Sequence, residues 1–517
     1  MRDIDFKMER RKFYITTPIY YANDIPHIGH AYTTIAADML ARFKRLDGYD
    51  VLFLTGVDEH GQKVEKAAEK SGITPQNFVD KMSQHFKELH SILDTSSHIF
   101  MRTTAPHHLH AAQTLWKKLY EKGQIYKSTY SGWYSIRDEA FYTEAELVEG
   151  KAPTGAPVEW VEEPSYFFRL STWQEPLLKF YAANPSFIEP ASRRNEVIRF
   201  VEGGLHDLSI SRSTFKWGIP VPEDETHILY VWLDALTNYI TALGYPDSFN
   251  NESQEFWAHS LHLVGKDILR FHAVYWPAFL MAADLNPPKK VFAHGWWTNA
   301  GEKISKSLKN TIDPKELIAR YGSDQLRYFL LREITFGQDG DFSENALKNR
   351  INSDLANDFG NLAQRILSFV QKNCDAKIPE PGPFSQEDQH FLENIHQMIT
   401  QLRTYAEEQA LSKMCEVLWE NVRRANRYID TQGPWSLKKT DITRMNTVLY
   451  VMMESLRYLG ILASPIIPKA AMKLLDQLSI PLEQRVMSSL KHEKLIPGTK
   501  LPSPQAIFPR IQEEQKL

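Results

Sequence analysis

Apolar and polar positions follow different rhythms in different stretches of the 517 residues, and each rhythm predicts its own kind of element. Phe13 to Thr17 is a short β-prone run. Ala22-Asn23-Asp24-Ile25-Pro26 follows it with turn-forming residues. Ile35, Ala36, Met39, Leu40, Phe43 and Leu46 then recur at helical spacing and stop at Gly48, a residue suited to the position just past a helix end. Val51 to Leu54 is a bare apolar run, as a strand buried on both faces should be. Strand, helix and strand in so short a span make a βαβ unit, and so an open parallel sheet. The same grammar returns in Leu261 to Val264, Ile268 to Ala283, and Val291-Phe292-Ala293, read as strand, helix and strand.

Between these halves the character changes. Ile125 to Tyr142 alternates aromatic and polar residues around Gly132, and Lys151 to Pro157 is rich in Pro and Gly. Residues 120–230 therefore read as a small β-containing insertion. From about residue 350 the periodicity is helical almost throughout, with Pro379-Glu380-Pro381-Gly382-Pro383 as its clearest breaker. The proline-bearing stretch from Ile496 to Ile511 reads as extended. No internal repeat or low-complexity tract interrupts this plan.

Composition adds limits. A hydrophobic fraction of 43% and a charged fraction of 24% belong to globular chains, and 12 Trp, 22 Tyr and 27 Phe suffice for several cores. No stretch approaches the roughly 20 uninterrupted apolar residues of a membrane span. Met1 to Arg11 lacks an apolar signal region, and Asp3, Asp5 and Glu9 are foreign to a transit peptide, so a cytoplasmic location is expected. Two cysteines, Cys374 and Cys415, exclude a disulfide framework and fit a reducing compartment. With a net charge of −4, any nucleic-acid contact must be a local patch.

Two short motifs carry chemistry. His27-Ile28-Gly29-His30 stands where the first turn gives way to the first helix, and free N–H groups with the helix dipole make that place an anion site. Two histidines there can donate to phosphate oxygens, and Gly29 lets a flat ring approach the backbone. Several nucleotidyl-transferring enzymes share the arrangement. Lys303-Ile304-Ser305-Lys306-Ser307 offers two lysines and two hydroxyls that could clamp a triphosphate. Alone, such a stretch is more often a solvated turn.

Together, in this order, the two motifs resemble HIGH and KMSKS of the class I aminoacyl-tRNA synthetases, with Ile304 in place of the usual Met. Thr17-Pro18-Ile19-Tyr20-Tyr21, Asp58-Glu59-His60-Gly61, Tyr230-Val231-Trp232-Leu233-Asp234-Ala235 and Gly265-Lys266-Asp267-Ile268 narrow the resemblance to the methionyl-tRNA synthetase family. It runs from about residue 12 to 365 and is most like bacterial and mitochondrial forms, particularly alphaproteobacterial ones. The resemblance implies an α/β fold. Its catalytic domain would be a Rossmann-like parallel sheet split between residues 1–119 and 231–295, with residues 120–230 as a connective insertion. Residues 296–350 would form a stem-contact region carrying the Lys-Ser loop, and 351–517 an all-α anticodon-binding bundle with an extended tail.

Site roles follow from the same likeness. Ile19, Tyr21, Trp232, Ala235, Tyr239, Ile268 and His272 would line the methionine slot, with Asp58 on the substrate ammonium. A thioether suits such a slot, since sulfur–aromatic contact adds up to ~1.5 kcal/mol. ATP would meet His27, Gly29, His30, Gly265, Asp267, His294, Gly295, Lys303, Ser305 and Lys306, of which His27, His30, Lys303 and Lys306 are the implied catalytic groups. Mg²⁺ would arrive with ATP. Asn361, Arg365 and Trp435 would contact the anticodon of initiator and elongator tRNA(Met), with Arg423, Arg424 and Arg427 nearby for phosphates. Many family members hold the insertion with zinc on Cys-x-x-Cys pairs; here the matching places read Ser135-Ile136-Arg137-Asp138 and Ala152-Pro153-Thr154-Gly155. No thiolate site can form there, so no metal is expected, and Asp138 reads as a solvated turn residue. Trp133, Tyr134, Phe141 and Tyr142 are expected to hold the insertion instead. An insertion of this length is too short for a separate editing domain, and with no appended dimerisation domain a monomer is expected.

Overall fold

The structure, a computed structural model, describes residues 10–138, 140–299, 301–304 and 311–511, and the side chains of all these but Tyr130, Ala140, Phe141 and Lys303. Its centre is a seven-stranded sheet. Along the main path the strands are Tyr20–Tyr21, Asp50–Asp58, Lys12–Thr16, Ser260–Gly265, Lys290–His294 and Ile188–Glu189; Ile99–Arg102 also pairs with Asp50–Asp58. Every pairing is parallel. Both predicted βαβ halves are present, joined where Lys12–Thr16 lies beside Ser260–Gly265.

Two of these elements run longer than their apolar runs. The first helix starts at Ile28 rather than Ile35, because the two motif histidines cap it. The strand expected to end at Leu54 continues to Asp58, since Thr55 is buried and bonds Thr17 Oγ1 at 2.9 Å. Ile188–Glu189, inside the stretch read as insertion, extends the main sheet beside Lys290–His294.

The single helix expected over Ile268 to Ala283 is instead three pieces: a 3₁₀ turn at Lys266–Ile268, a π turn at Phe271–Tyr275 and an α-helix at Trp276–Ala282. The cause is local. Pro277 has no N–H to offer the Ala273 carbonyl, and Tyr181 Oη donates to that carbonyl instead at 2.7 Å. Tyr181 comes from Gln174–Ala183 of the insertion, so the insertion braces the wall of the site.

Within 120–230, Ile125–Ser135, Ala140–Tyr142, Glu159–Phe168 and Leu208–Ser209 form an antiparallel sheet, with helices at Gln174–Ala183 and Ala191–Glu202. Trp133 packs edge-on to Trp160 across it, ring centroids 5.4 Å apart.

The C-terminal region is helical, with Asn361–Asn373, Gln386–Glu407, Leu411–Gln432, Ile442–Ala463 and Pro468–Gln477 sharing one core. Its contact with the sheet domain combines a shared apolar core with a buried polar cluster. Arg327, on Ser323–Arg332, is fully buried and pairs with Asp38 of the first helix at 2.7 Å. It also donates to the carbonyls of Pro465 (2.8 Å) and Ile466 (3.1 Å) in the helical region. Burial pushes the Asp38 carboxyl up, but Arg327 and Arg42 more than reverse this. Cys374 and Cys415 both lie in the helical region, and burial raises their thiols to about 11 and about 12.

Candidate functional site

In open parallel sheets ligands bind beyond the carboxyl ends of the strands, where connections leave in opposite directions. Here that point lies between Lys12–Thr16 and Ser260–Gly265, and a cavity of about 550 Å³ sits above it. The registers Tyr21↔Asp58 and Gly265↔His294 bring residues from both halves to its rim.

The motif histidines form a reciprocal cap on the helix Ile28–Leu46. The Gly29 N–H donates to His27 Nδ1 at 3.1 Å, and the His27 N–H donates to His30 Nδ1 at 3.0 Å. Each Nδ1 is therefore an acceptor, which leaves Nε2 of each ring as the proton carrier. Burial, and after it the neighbouring His27, holds the His30 pKa well below 6.5, so this ring is neutral at pH 7. His30 is wedged edge-on against Tyr20 and Phe86. Gly29 has a reason that sequence reading did not supply: a Cβ there would stand 2.9 Å from His27 Cε1 and push the capping ring away.

All the residues expected to hold methionine line this cavity: Ile19, Tyr21, Asp58, Trp232, Ala235, Tyr239, Ile268 and His272. Trp232, Ala235 and Tyr239 come from one helix, Val231–Thr241. The π turn supplies His272, whose Nδ1 donates to the Ile268 carbonyl at 2.9 Å. Its Nε2 therefore accepts from Tyr239 Oη, 2.7 Å away. Phe271, which the sequence reading missed, stacks on Trp232 at 3.8 Å and 7°. Its only signal was its place in a turn that periodicity alone reads as plain helix.

The same cavity is lined by His27, Gly29, His30, Gly265, Asp267, His294 and Gly295. Trp296 Nε1 donates to Asp267 Oδ1 at 3.1 Å. A Cβ on Gly295 would meet the Gln338 backbone at 2.3 Å, and one on Gly265 would meet Asp267 Oδ1 at 2.5 Å. His294 Nδ1 donates to the Gly295 carbonyl at 2.8 Å, and its Nε2 faces Thr33 Oγ1 at 2.8 Å, tying the strand to the capped helix. Ile304 is buried and also lines the cavity, so the residue replacing Met in the second motif does pack. Lys303 sits in a two-residue strand paired with Thr298. Ser305, Lys306 and Ser307 lie outside the described residues.

The tip of the insertion closes over this cavity through Arg137, Asp138, Tyr142 and Thr154. Asp138 is no solvated turn residue. Its side chain is 15% exposed and accepts from Tyr142 Oη at 3.1 Å and from Thr154 Oγ1. Arg137 Nη2 donates to the Thr154 carbonyl at 2.6 Å. The two turns, 135–138 and 152–155, are joined by hydrogen bonds. Among the described residues no group of three His, Cys, Asp or Glu is placed to hold a metal ion.

In the helical region Asn361 and Arg365 share a face of Asn361–Asn373. Arg365 pairs with Asp430 at 2.6 Å, and its guanidinium lies 5.3 Å from the Trp435 ring centre. The preceding helix runs from Leu411 to Gln432. Trp435, 43% exposed, sits in the first turn of the next helix, Pro434–Thr440, after Gly433 turns the chain at φ +50°. Two of the three arginines read as a phosphate patch pair with carboxylates: Arg423 with Asp358 at 3.7 Å and Arg424 with Glu420 at 3.0 Å.

Comparison with known proteins is consistent along the whole chain. Residues 13–157 and 154–367 match the model of "tRNA synthetases class I (M)", and 378–517 match that of the "Anticodon binding domain of methionyl tRNA ligase". The methionine–tRNA ligase of Brucella suis is 54% identical over 98% of this chain and 99% of its own. That of Rickettsia conorii is 55% identical over 97% and 99%. A solved structure of Mycobacterium tuberculosis methionyl-tRNA synthetase in complex with methionyl-adenylate is 48% identical, covers 97% of this chain and 100% of that one, and superposes with a TM-score of 0.94. The fold, the capped histidine motif and the two matched domains thus have one reading: the chain belongs to the methionyl-tRNA ligases, a family of class I aminoacyl-tRNA synthetases.

Proposed function

We propose that this chain activates L-methionine with Mg·ATP and transfers it to the 3′ end of tRNA(Met), initiator and elongator, in the cavity described above. The observation that carries the reading is the convergence there of the methionine set with His27, Gly29, His30, Gly265, Asp267, His294 and Gly295. Asp58 receives the ammonium group, which needs a carboxylate once buried. Ile19, Tyr21, Trp232, Ala235, Tyr239, Ile268 and His272 enclose the thioether.

In the first step a methionine carboxylate oxygen attacks the α-phosphorus of ATP. The bond from that phosphorus to the bridging oxygen breaks, and pyrophosphate leaves. His27 and His30 donate from Nε2 to the phosphate oxygens, His30 as a neutral ring. Lys303, Ser305 and Lys306 take the departing phosphates, a role that rests on family likeness. In the second step the 2′-hydroxyl of the terminal adenosine attacks the adenylate carbonyl. AMP leaves, and the hydroxyl proton passes to its phosphate or to water, with no dedicated side-chain base. Holding the reacting groups together supplies most of the acceleration.

Residues 351–517 read the anticodon through Asn361, Arg365 and Trp435, the Trp face stacking a splayed base. The insertion at 120–230 works without zinc, and the protein acts as a cytoplasmic monomer. Among the described residues no helix is long and apolar enough to cross a membrane.

ATP–pyrophosphate exchange without tRNA, tested with each amino acid in turn, decides the reading. Exchange with methionine alone is expected. Exchange with another amino acid would overturn the pocket, and none at all from folded protein would overturn the activation chemistry.

A further inference from the structure

The helix that carries Trp232, Ala235 and Tyr239 also carries Asp234, which does not line the cavity and is 1% exposed. Each of its carboxylate oxygens takes one imidazole: Oδ2 lies 2.6 Å from His60 Nδ1, and Oδ1 lies 2.8 Å from His108 Nε2. The three residues come from three segments. His60 lies two residues past the end of the strand Asp50–Asp58, and His108 belongs to the helix Pro106–Glu121. His108 Nδ1 also meets Thr241 Oγ1 at 3.2 Å, so one imidazole grips the pocket helix at two points two turns apart. At the other end, the His60 carbonyl accepts from Tyr21 Oη at 3.0 Å. A continuous buried chain therefore links the strand end bearing Asp58 to the helix bearing the aromatic wall.

Stability alone does not call for such a group, because three apolar residues of the same volume would serve as well or better. What the carboxylate and two rings add is direction. Each bond fixes an angle, and the helix cannot slide along the strand end without breaking one.

We infer that Asp234 is a positioning residue for methionine: with His60 and His108 it sets the separation between the carboxylate that receives the ammonium group and the wall that receives the thioether. The inference rests on the methionine slot proposed above. Methionine must reach both ends at once, so an error in their separation weakens its binding. ATP meets residues of the capped helix and of the strands Ser260–Gly265 and Lys290–His294, which this chain of bonds does not touch.

The test is steady-state ATP–pyrophosphate exchange on the full chain, with separate KM values for methionine and ATP. Asp234→Asn is expected to raise the methionine KM about 10- to 100-fold, as loss of a group that orients a ligand-binding residue does, with the ATP KM within about twofold. Side-chain amides distinguish geometry from bulk. His60→Asn retains a donor near Nδ1 and His108→Gln one near Nε2, so each should recover most of the affinity that His60→Ala and His108→Ala lose. These four variants carry the test even if Asp234→Asn fails to fold. Parallel rises in both KM values, amide variants as weak as the alanines, or an unchanged methionine KM in Asp234→Asn would each overturn the inference. Absence of methionine-dependent exchange in the unmodified protein would instead overturn the pocket reading beneath it.

Discussion

His272 is held between the Ile268 carbonyl and the Tyr239 hydroxyl, and burial lowers its pKa from 6.5 to about 4. His90 is lowered to about 4 by burial as well, and burial also lowers His262 and His294. In each case the unfolded chain takes up the proton first. The neutral rings of His272 and His90 thus contribute full stability above about pH 6.5, and this is lost as pH falls toward 4. For His272 alone the loss at pH 5 is about 2 kcal/mol. Urea unfolding of His272→Gln should accordingly show a drop between pH 7 and pH 5 smaller than that of the unmodified protein by about this amount. An identical drop in both would mean that the ring is already charged in the fold. The same scale explains what the sequence concealed. The histidine pair was legible as an anion site, but that its rings accept backbone N–H groups of the helix start required seeing His27 and His30 fold back on their own helix. Asp138 read as solvated because its partners, Tyr142 and Thr154, lie in a neighbouring strand and on a different turn.

Strands and helices announced themselves where burial matched periodicity. Val51 to Leu54 and Leu261 to Val264 were legible as buried parallel strands because both faces are apolar, and they pair in the main sheet as expected. Two residues such as Ile188–Glu189 have no period to read, and only the completed sheet gives them a partner. The broken helix at 266–282 was hidden for another reason: its irregularity depends on Tyr181, about ninety residues away in sequence. At this scale the most exposed liability is the helix Ser323–Arg332. Arg327 joins it to the capped helix through Asp38 and to the Pro465-Ile466 turn, with no solvent to relieve a lost partner. Arg327→Met should cost about 3–5 kcal/mol in denaturant unfolding, because Asp38 then keeps a buried charge with one fewer partner. A loss below about 1 kcal/mol would show that Arg42, 2.8 Å from Asp38, and Ser96, whose N–H and Oγ both donate to Asp38 Oδ1 at 2.6 Å, suffice for that carboxylate.

For the whole molecule, activation and RNA reading are assigned to different bodies, which makes them separable. Trp435→Ala should lower kcat/KM for tRNA charging about 10- to 100-fold, the equivalent of one stacked base, and leave methionine-dependent pyrophosphate exchange unchanged. Arg365→Ala should behave alike, having a guanidinium beside the same ring. A matching loss of exchange would move these residues from RNA contact to structural support. The division into a sheet domain and a helical domain was the most legible feature of all, since helical periodicity replaces strand runs near residue 350. The buried Arg327–Asp38 pair between the two was not, because Arg327 looks like a surface residue of an ordinary amphipathic helix. The thiol inventory has a consequence of another kind. Both cysteines sit away from the cavity, and burial keeps them protonated at neutral pH. Peroxides and electrophiles act on enzymes through an accessible thiolate, and the insertion tip, held by hydroxyls and a carboxylate, offers none. Inactivation of this chain through a cysteine thiolate at neutral pH is therefore not expected.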